Sequence, residues 1–212
     1  MGLRDGDAVR QEARLPIEAW CTPDELVDVP HRALAAISAR TARRIQPLWR
    51  DLNELRQRQL EIAVEITEGV ARGVLTHQDA RAADGVEVES WSMERPDFSA
   101  WRTASGVAIY ALACSCCDEP NEAALAAVLT WREALFASVG DSPDVQTAER
   151  RVREALSAKE DSPVRRIATA MMDDLDRVRS LAASKQWDDE SRVPPEALGP
   201  LWPPCTRSPW IV

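Results

Sequence analysis

The chain has 212 residues, and 45% of them are apolar, so it can bury a core and is not globally disordered. Its formal net charge of −9 disfavours binding to phosphate backbones and to anionic membranes. Neither an apolar signal-peptide core nor an apolar run of transmembrane length is visible, so the five cysteines are expected to be reduced thiols in a cytoplasm.

The N-terminal third is predicted to contain an arm and three helices. Residues 1–19 are polar and predict a flexible arm, followed by a helical bundle at 20–187. Thr22-Pro23-Asp24-Glu25 has the pattern of a capping box with proline at the first helical position. A helix is predicted from His31 to Trp49, with a break near Pro47, and the third follows it.

The third helix is predicted from Asp51 to Val74. Its large apolar residues recur at helical spacing and predict a buried stripe made of Leu52, Leu55, Ile62, Ile66 and Val70. A second face carries the carboxylates of Glu61, Glu65 and Glu68, a grouping that can bind metal or act as acid and base. Arg58 and Arg72 are close enough along the helix to pair with them, which favours a solvated, ion-paired face.

The middle of the chain contains the most apolar segments. A short helix is predicted over Thr76 to Ala83, and the alternating residues 86–97 are interpreted as a loop or hairpin fragment, because one strand cannot form a sheet. A helix is predicted from Ala100 to Cys117. The next, at 121–139, is apolar nearly all round and is therefore predicted to be central and buried.

Two Ser-Pro pairs predict further helix starts, at Ser142-Pro143 and Ser162-Pro163. The last helix ends near Trp187, and proline-rich residues 188–212 follow. The predicted fold is all-α, a bundle of six or seven helices with an extended Pro/Trp-rich C-terminal tail. Large apolar residues predict that the tail is a strap packed on the bundle, anchored by Trp202 and Trp210. The alternative is a mobile tail whose tryptophans are reserved for a partner.

Several motifs in the tail carry a family resemblance: Trp187-Asp188-Asp189-Glu190, Val193-Pro194-Pro195-Glu196 and Gly199-Pro200-Leu201-Trp202-Pro203. Together they resemble the C-terminal signature of an uncharacterised bacterial family of small helical proteins. Ala42-Arg43-Arg44-Ile45-Gln46-Pro47-Leu48-Trp49 is similar to the N-terminal helix of that family. The resemblance implies a small helical bacterial protein, and it implies no activity.

The motif Cys114-Ser115-Cys116-Cys117 raises the question of metal or redox chemistry. At 100° per residue, Cys114 and Cys117 share a helix face and Cys116 points almost the opposite way. A reactive Cys-x-x-Cys lies at a helix N-terminus, but this one lies at a C-terminus and is followed by two acids, which disfavours a thiolate.

A structural zinc site would need four ligands, and this motif offers two. The other candidates are scattered singly, as Cys21, Cys205, His31 and His77. We therefore expect buried, inert cysteines, with no metal and no other cofactor. Were a metal bound, Cys114 and Cys117 would be its candidate ligands. His31 is expected to be a cap or a solvated side chain. No catalytic motif is found, so no catalytic residue is predicted.

Positive charge is concentrated in residues 31–60, whose net charge is +5. Four arginines there lie mostly off the apolar stripe and are candidates for binding an anion or an acidic partner: Arg40, Arg43, Arg44 and Arg50. Alternatively, they pair with the acidic residues of the same chain, such as Asp173, Asp174 and Asp176.

These observations favour a non-enzymatic helical protein-interaction or accessory module of a bacterial system, with a protein partner or self-association. Nucleic acid and membrane are disfavoured as partners. Two alternatives remain open: a metal-binding or carboxylate-based enzyme bundle that uses the cysteine pair and the glutamate face, and a binder of anions or nucleic acid through the arginine-rich helix.

Overall fold

A computed structural model describes residues 22–84, 99–158, 160–202 and 208–210. Within those ranges it contains eight α-helices and no strand, which confirms the predicted all-α bundle but gives more helices than the six or seven predicted. The predicted arm at 1–19 and the fragment at 86–97 lie outside the described residues. The helices are α1 (Pro23–Leu26), α2 (His31–Ile45), α3 (Glu54–Ala71), α4 (His77–Asp84), α5 (Ala100–Cys116), α6 (Pro120–Ser138), α7 (Val145–Ser157) and α8 (Pro163–Lys185).

Local capping explains where several helices begin. Before α1, the Thr22 amide donates to Glu25 Oε2 over 2.8 Å, the reciprocal bond of a capping box. Ser162 caps α8 as predicted, because its Oγ accepts from the Arg165 amide. The predicted start at Ser142-Pro143 is wrong by two residues: α7 begins at Val145, because Asp144 Oδ1 accepts from the Thr147 amide over 2.7 Å.

The second helix is shorter than predicted. It ends at Ile45, and the chain continues as a 3₁₀ turn over Gln46–Asp51. Pro47 has no amide hydrogen for the α-helical ladder, and its ring crowds the preceding turn. The turn places Trp49 in the core, where its indole Nε1 donates to the Ala104 carbonyl of α5.

Helices α5 and α6 form the centre of the bundle. Helix α5 packs against α2, α3, α4 and α6, and α6 packs against α1, α2, α5, α7 and α8. The predicted burial of α6 is confirmed, because most of its side chains are buried on every side. The two helices approach closely at Gly106, where an added Cβ would lie 3.2 Å from Glu133 Cγ.

The predicted buried stripe of α3 is wrong for two of its members. Leu55 and Ile62 have exposed fractions of 69% and 37%. The face turned toward α2 and α5 instead carries Leu60, Ala63, Val64, Thr67, Val70 and Ala71. The small side chains on this face let the neighbouring backbones come close. The Thr67 hydroxyl donates a hydrogen bond to the Ala63 carbonyl over 2.9 Å and so is not left unpaired.

The chain turns back at the end of α8 and runs along α2. Gln186 adopts a left-handed conformation with φ 52°, which ends α8 and redirects the backbone. Downstream, the Val193 amide donates to the Ala71 carbonyl over 2.8 Å. Val193 and Leu198 are fully buried in the core, the latter in a 3₁₀ turn over Pro195–Leu198. We call residues 187–202 the C-terminal segment.

Candidate functional site

Two of the four predicted anion-binding arginines are buried inside the bundle. Arg40 and Arg44 are 4% and 1% exposed, and both contact Asp174 of α8. Arg40 Nε donates to Asp174 Oδ2 over 2.9 Å, and Arg44 Nη1 forms an ion pair with the same oxygen at 2.7 Å. Burial lowers the pKa of the Arg44 guanidinium, and Asp174 opposes that shift. One carboxylate thus serves two guanidinium groups.

The C-terminal segment supplies further acceptors for this pair. Arg40 donates to the backbone carbonyls of Pro195, Gly199 and Pro200 over 2.7–3.0 Å, and Arg44 Nε donates to that of Leu201 over 2.7 Å. Carbonyl dipoles stabilise the excess positive charge without adding an anion. Both arginines are therefore engaged by their own chain, as the pairing alternative predicts, and do not face solvent.

A glycine is required where the C-terminal segment crosses α8. Gly199 has φ +81°, a conformation that side chains disfavour. Its position is also crowded, because an added Cβ would collide with the Arg177 guanidinium. That guanidinium donates to the Leu198 carbonyl over 2.6 Å. Both the positive φ and the contact with Arg177 therefore require a glycine at position 199 of the Gly199-Pro200-Leu201-Trp202 motif.

The two predicted tail anchors both contact α2. Trp202 is partly buried against the core, and its ring lies 5.8 Å from Arg44 Cζ, within range for a cation–π contact. Trp210 Nε1 donates to the Arg44 carbonyl over 2.8 Å. Both indoles therefore lie around one residue of α2.

The other two predicted arginines differ from each other. Arg43 bonds to Glu61 and Glu68 of α3, and these contacts raise its pKa despite the opposing effect of partial burial. Arg50 is exposed and lies 4.0 Å from Asp51. The glutamate face of α3 is ion-paired as expected, since Arg58 also contacts Glu65 and Arg72 contacts Glu68.

The cysteine motif lies at the C-terminal end of α5. Cys114 is fully buried, and burial raises the pKa of its thiol to about 12. Cys117 is partly exposed and donates to the Ala113 carbonyl at 3.1 Å. Within the described ranges, no three His, Cys, Asp or Glu side chains are grouped closely enough to hold a metal ion. The structure thus places Cys114 as a packing residue.

Native-state alkylation is expected to separate the two cysteines. Because the Cys114 thiol is buried and protonated, its reaction with iodoacetamide should require opening of the bundle, whereas Cys117 should react in the folded protein. Mass spectrometry of peptides from a labelling time course measures both rates. Equal rates at the two positions in folded protein would contradict the placement of Cys114.

The carbonyls at the end of α5 are capped by three basic side chains that sequence reasoning did not assign. His31 Nε2 donates to the Cys114 carbonyl over 2.6 Å and His77 Nδ1 to the Ser115 carbonyl over 3.0 Å. Arg81 donates to the Cys116 carbonyl over 2.7 Å. These groups satisfy carbonyls that have no partner within the helix. His31 was expected to be a cap or a solvated side chain. It is buried, and the helix that it caps is α5.

The two imidazoles also stack on each other. Their ring centroids are 4.0 Å apart and their planes differ by 1°. Burial lowers the pKa of His31 most strongly, and His77 lowers it further, while the Cys114 carbonyl and Asp189 raise it. The stack joins the starts of α2 and α4 to the end of α5.

Acidification is expected to destabilise the protein through His31. A histidine whose folded-state pKa lies below its unfolded value binds fewer protons in the native state, so stability rises with pH in that window. The free energy of unfolding should therefore decrease as pH falls from about 7.5 through about 6.5 toward the lowered pKa, by at most about 1.4 kcal/mol per pH unit. His31→Gln keeps a donor but cannot titrate. Urea titrations at several pH values in this range give the free energy of unfolding of both proteins. That free energy should depend less steeply on pH in the variant, and an equal pH dependence in the two proteins would contradict the assignment.

One exposed apolar surface stands out on α3 and the turn that follows it. In the described part of the chain, the exposed large aliphatic side chains are Leu55, Ile62 and Val74. Leu55 and Ile62 are seven residues apart, two helical turns, and so lie along one face. Arg58 and Glu65 lie three residues after each of them and are also exposed. We call Leu55, Arg58, Ile62, Glu65 and Val74 the α3 surface.

Clefts lined by described residues lie at two places on the surface of the bundle. The one beside the α3 surface has a volume of about 410 Å³ and is lined by Gln46, Pro47, Trp49, Arg50, Gln57, Arg58 and Glu61. Of the predicted anion-binding residues, Arg50 thus borders this cleft. The other, of about 300 Å³, lies between the α1–α2 turn and the end of α8, beside Trp187 and Arg179.

No protein-family model, curated protein or solved structure matches the chain. The family resemblance of the C-terminal motifs therefore stays a prediction. None of the helices in the described ranges combines the length and the apolar character needed to cross a membrane.

Proposed function

We propose that this protein is a non-enzymatic interaction module that binds a protein partner through the α3 surface. The observation that carries the proposal is the confinement of exposed large aliphatics, within the described residues, to α3 and its following turn. Isolated exposed aliphatics are normal, but a row on one helix face with charges beside it is the pattern of a docking helix.

The chemistry of the other candidate residues supports this choice over the two alternatives. Arg40, Arg43 and Arg44 are engaged by acceptors of the same chain, which disfavours anion binding by the arginine-rich helix. The Cys114 thiol has a raised pKa, and the α3 glutamates are ion-paired, which disfavours thiolate and carboxylate chemistry at these positions.

Site-specific photocrosslinking in expressing cells tests the proposal. With p-benzoylphenylalanine in place of Ile62, we expect a covalent adduct with another polypeptide, and Leu55→Asp in the same chain should suppress it. The control places the probe at Arg150, which is exposed on α7. Adducts at both positions alike, or at neither, would contradict the proposal.

A further inference from the structure

The α3 surface has a repeating spacing that bears on the identity of its partner. Leu55, Ile62 and Gly69 follow each other at seven-residue intervals, the interval at which one position of a coiled-coil seam recurs, and the alternate seam positions carry Arg58 and Glu65. Gly69 presents no side chain of its own. Leu75 covers it, because an added Cβ at Gly69 would lie 2.8 Å from Leu75 Cδ1. The seam is therefore apolar at both ends and at its centre.

The turn after α3 completes the C-terminal end of the seam. The amides of Val74 and Leu75 both donate to the Gly69 carbonyl, over 2.9 and 3.1 Å, so the turn folds back to the level of Gly69. Val74 is 76% exposed there. Ile62 thus lies midway between an aliphatic end at Leu55 and an aliphatic end at Val74 and Leu75.

The charges between these positions have opposite signs. Arg58 lies between Leu55 and Ile62, and Glu65 lies between Ile62 and Gly69. Within one chain, Arg58 Nη1 and Glu65 Oε1 are 3.7 Å apart, and both side chains are about half to two-thirds exposed. Read from one end, the surface is apolar, basic, apolar, acidic, apolar, and read from the other end the signs are exchanged.

We propose that the α3 surface binds a second copy of this chain, with the two α3 helices antiparallel about a two-fold axis at Ile62. This inference rests on the proposed function and names the partner. In that arrangement each residue faces the copy's residue at the same distance from Ile62 on the other side. Ile62 meets its equivalent, and Leu55 meets the level of Gly69, where Val74 and Leu75 lie. Arg58 is four residues before Ile62 and Glu65 is three residues after it, so the two come within one residue of each other, about 1.5 Å along the helix, and this pair forms twice.

The pairing is expected to be weak and reversible. Helix α3 has 18 residues, so it is about 27 Å long, and one helix face of that length buries less than the roughly 1,200 Å² typical of stable complexes. A dissociation constant on the order of 10–100 µM is expected for such a contact. Charge complementarity fixes the antiparallel orientation, because a parallel pair would place Arg58 against Arg58 and Glu65 against Glu65.

Charge-reversal variants test the arrangement by analytical ultracentrifugation. The wild type should show a monomer–dimer equilibrium between about 1 and 500 µM, a range that brackets weak association. Arg58→Glu alone places four acidic groups together, and Glu65→Arg alone places four basic groups together. Each should weaken self-association at least about tenfold, as like charges in juxtaposition do. An equimolar mixture of the two variants should dimerise, because each then meets the opposite charge.

The matched control is the exposed ion pair of Arg150 and Glu154 on α7, whose Nη1–Oε1 distance is 2.9 Å. Arg150→Glu and Glu154→Arg should leave the equilibrium unchanged, and circular dichroism should show all variants folded. A wild type that is monomeric throughout, single reversals with no effect, or a mixture that does not associate would each overturn the inference. If the chain is monomeric but the probe at position 62 captures a different protein, the proposed function stands and the self-pairing does not. If that probe captures nothing, the proposed function falls as well.

Discussion

Replacing Asp174 with asparagine is expected to lower the free energy of unfolding by about 3–5 kcal/mol, the usual cost of removing one partner from a buried ion pair. Asp174 is 1% exposed and lies against two guanidinium groups that are themselves buried. The neutral amide would leave Arg40 and Arg44 without a counter-charge in the core. Because guanidinium groups do not deprotonate in proteins, the cost cannot be relieved by losing a proton.

The neighbouring Asp173 provides a matched control. It pairs with Arg177 on the same helix at 2.9 Å, but both side chains are about one-third exposed. Asp173→Asn should therefore cost no more than about 1 kcal/mol, as exposed helix pairs do. Urea unfolding followed by circular dichroism measures both variants under identical conditions. A similar loss of stability in the two variants would mean that solvent reaches Asp174. The buried group of Arg40, Arg44 and Asp174 would then not hold the C-terminal segment.

The helices themselves were predictable because their signals are local. Ser162 and the proline after it start α8, and the apolar residues beyond them are buried at helical spacing: Val164, Ile167, Met171, Leu175 and Val178. Helix α6 was predicted to be central because its own residues are apolar on nearly every side. Errors of two residues at helix starts arise where two capping side chains compete, as Ser142 and Asp144 do before α7.

The exposed face of α3 was not predictable from periodicity. Spacing arguments give most weight to large aliphatics, and on α3 these include Leu55 and Ile62. The helix instead buries a face rich in Ala63, Thr67 and Ala71, since small side chains allow close approach to α2 and α5. Leu55 and Ile62, which the pattern assigned to the core, are therefore exposed.

The contacts that hold the C-terminal segment were also outside the reach of sequence patterns. Arg40 reaches acceptors that lie 155 to 160 residues further along the chain, and all of these are backbone carbonyls. Every residue has a backbone carbonyl, so the sequence does not indicate which carbonyls accept these hydrogen bonds. The same holds for His31 and His77, whose acceptors are the last carbonyls of α5. The accepting carbonyls can be identified only from the three-dimensional arrangement of the helices and the C-terminal segment.

Removal of residues 193–212 is expected to abolish cooperative folding. The deletion takes away Val193 and Leu198, each fully buried and worth about 1.5–3 kcal/mol. It also removes four carbonyl acceptors of Arg40 and Arg44, and hydrogen bonds to charged groups contribute about 1.5–3 kcal/mol each. These losses together are comparable to the roughly 5–15 kcal/mol by which a folded domain is stable.

A point variant allows the contribution of the C-terminal segment to stability to be measured in a folded protein. Leu198→Ala should cost about 2–5 kcal/mol, the range for buried leucines, whereas Ala197→Ser on the exposed side of the same turn should stay within about 0.5 kcal/mol. Trypsin provides an independent check at Arg192, which follows the turn where the segment begins to pack. A docked segment should be cut there only as fast as the whole protein unfolds. Rapid cutting at Arg192 without a drop in melting temperature would show that the segment is held for a partner and does not stabilise the bundle.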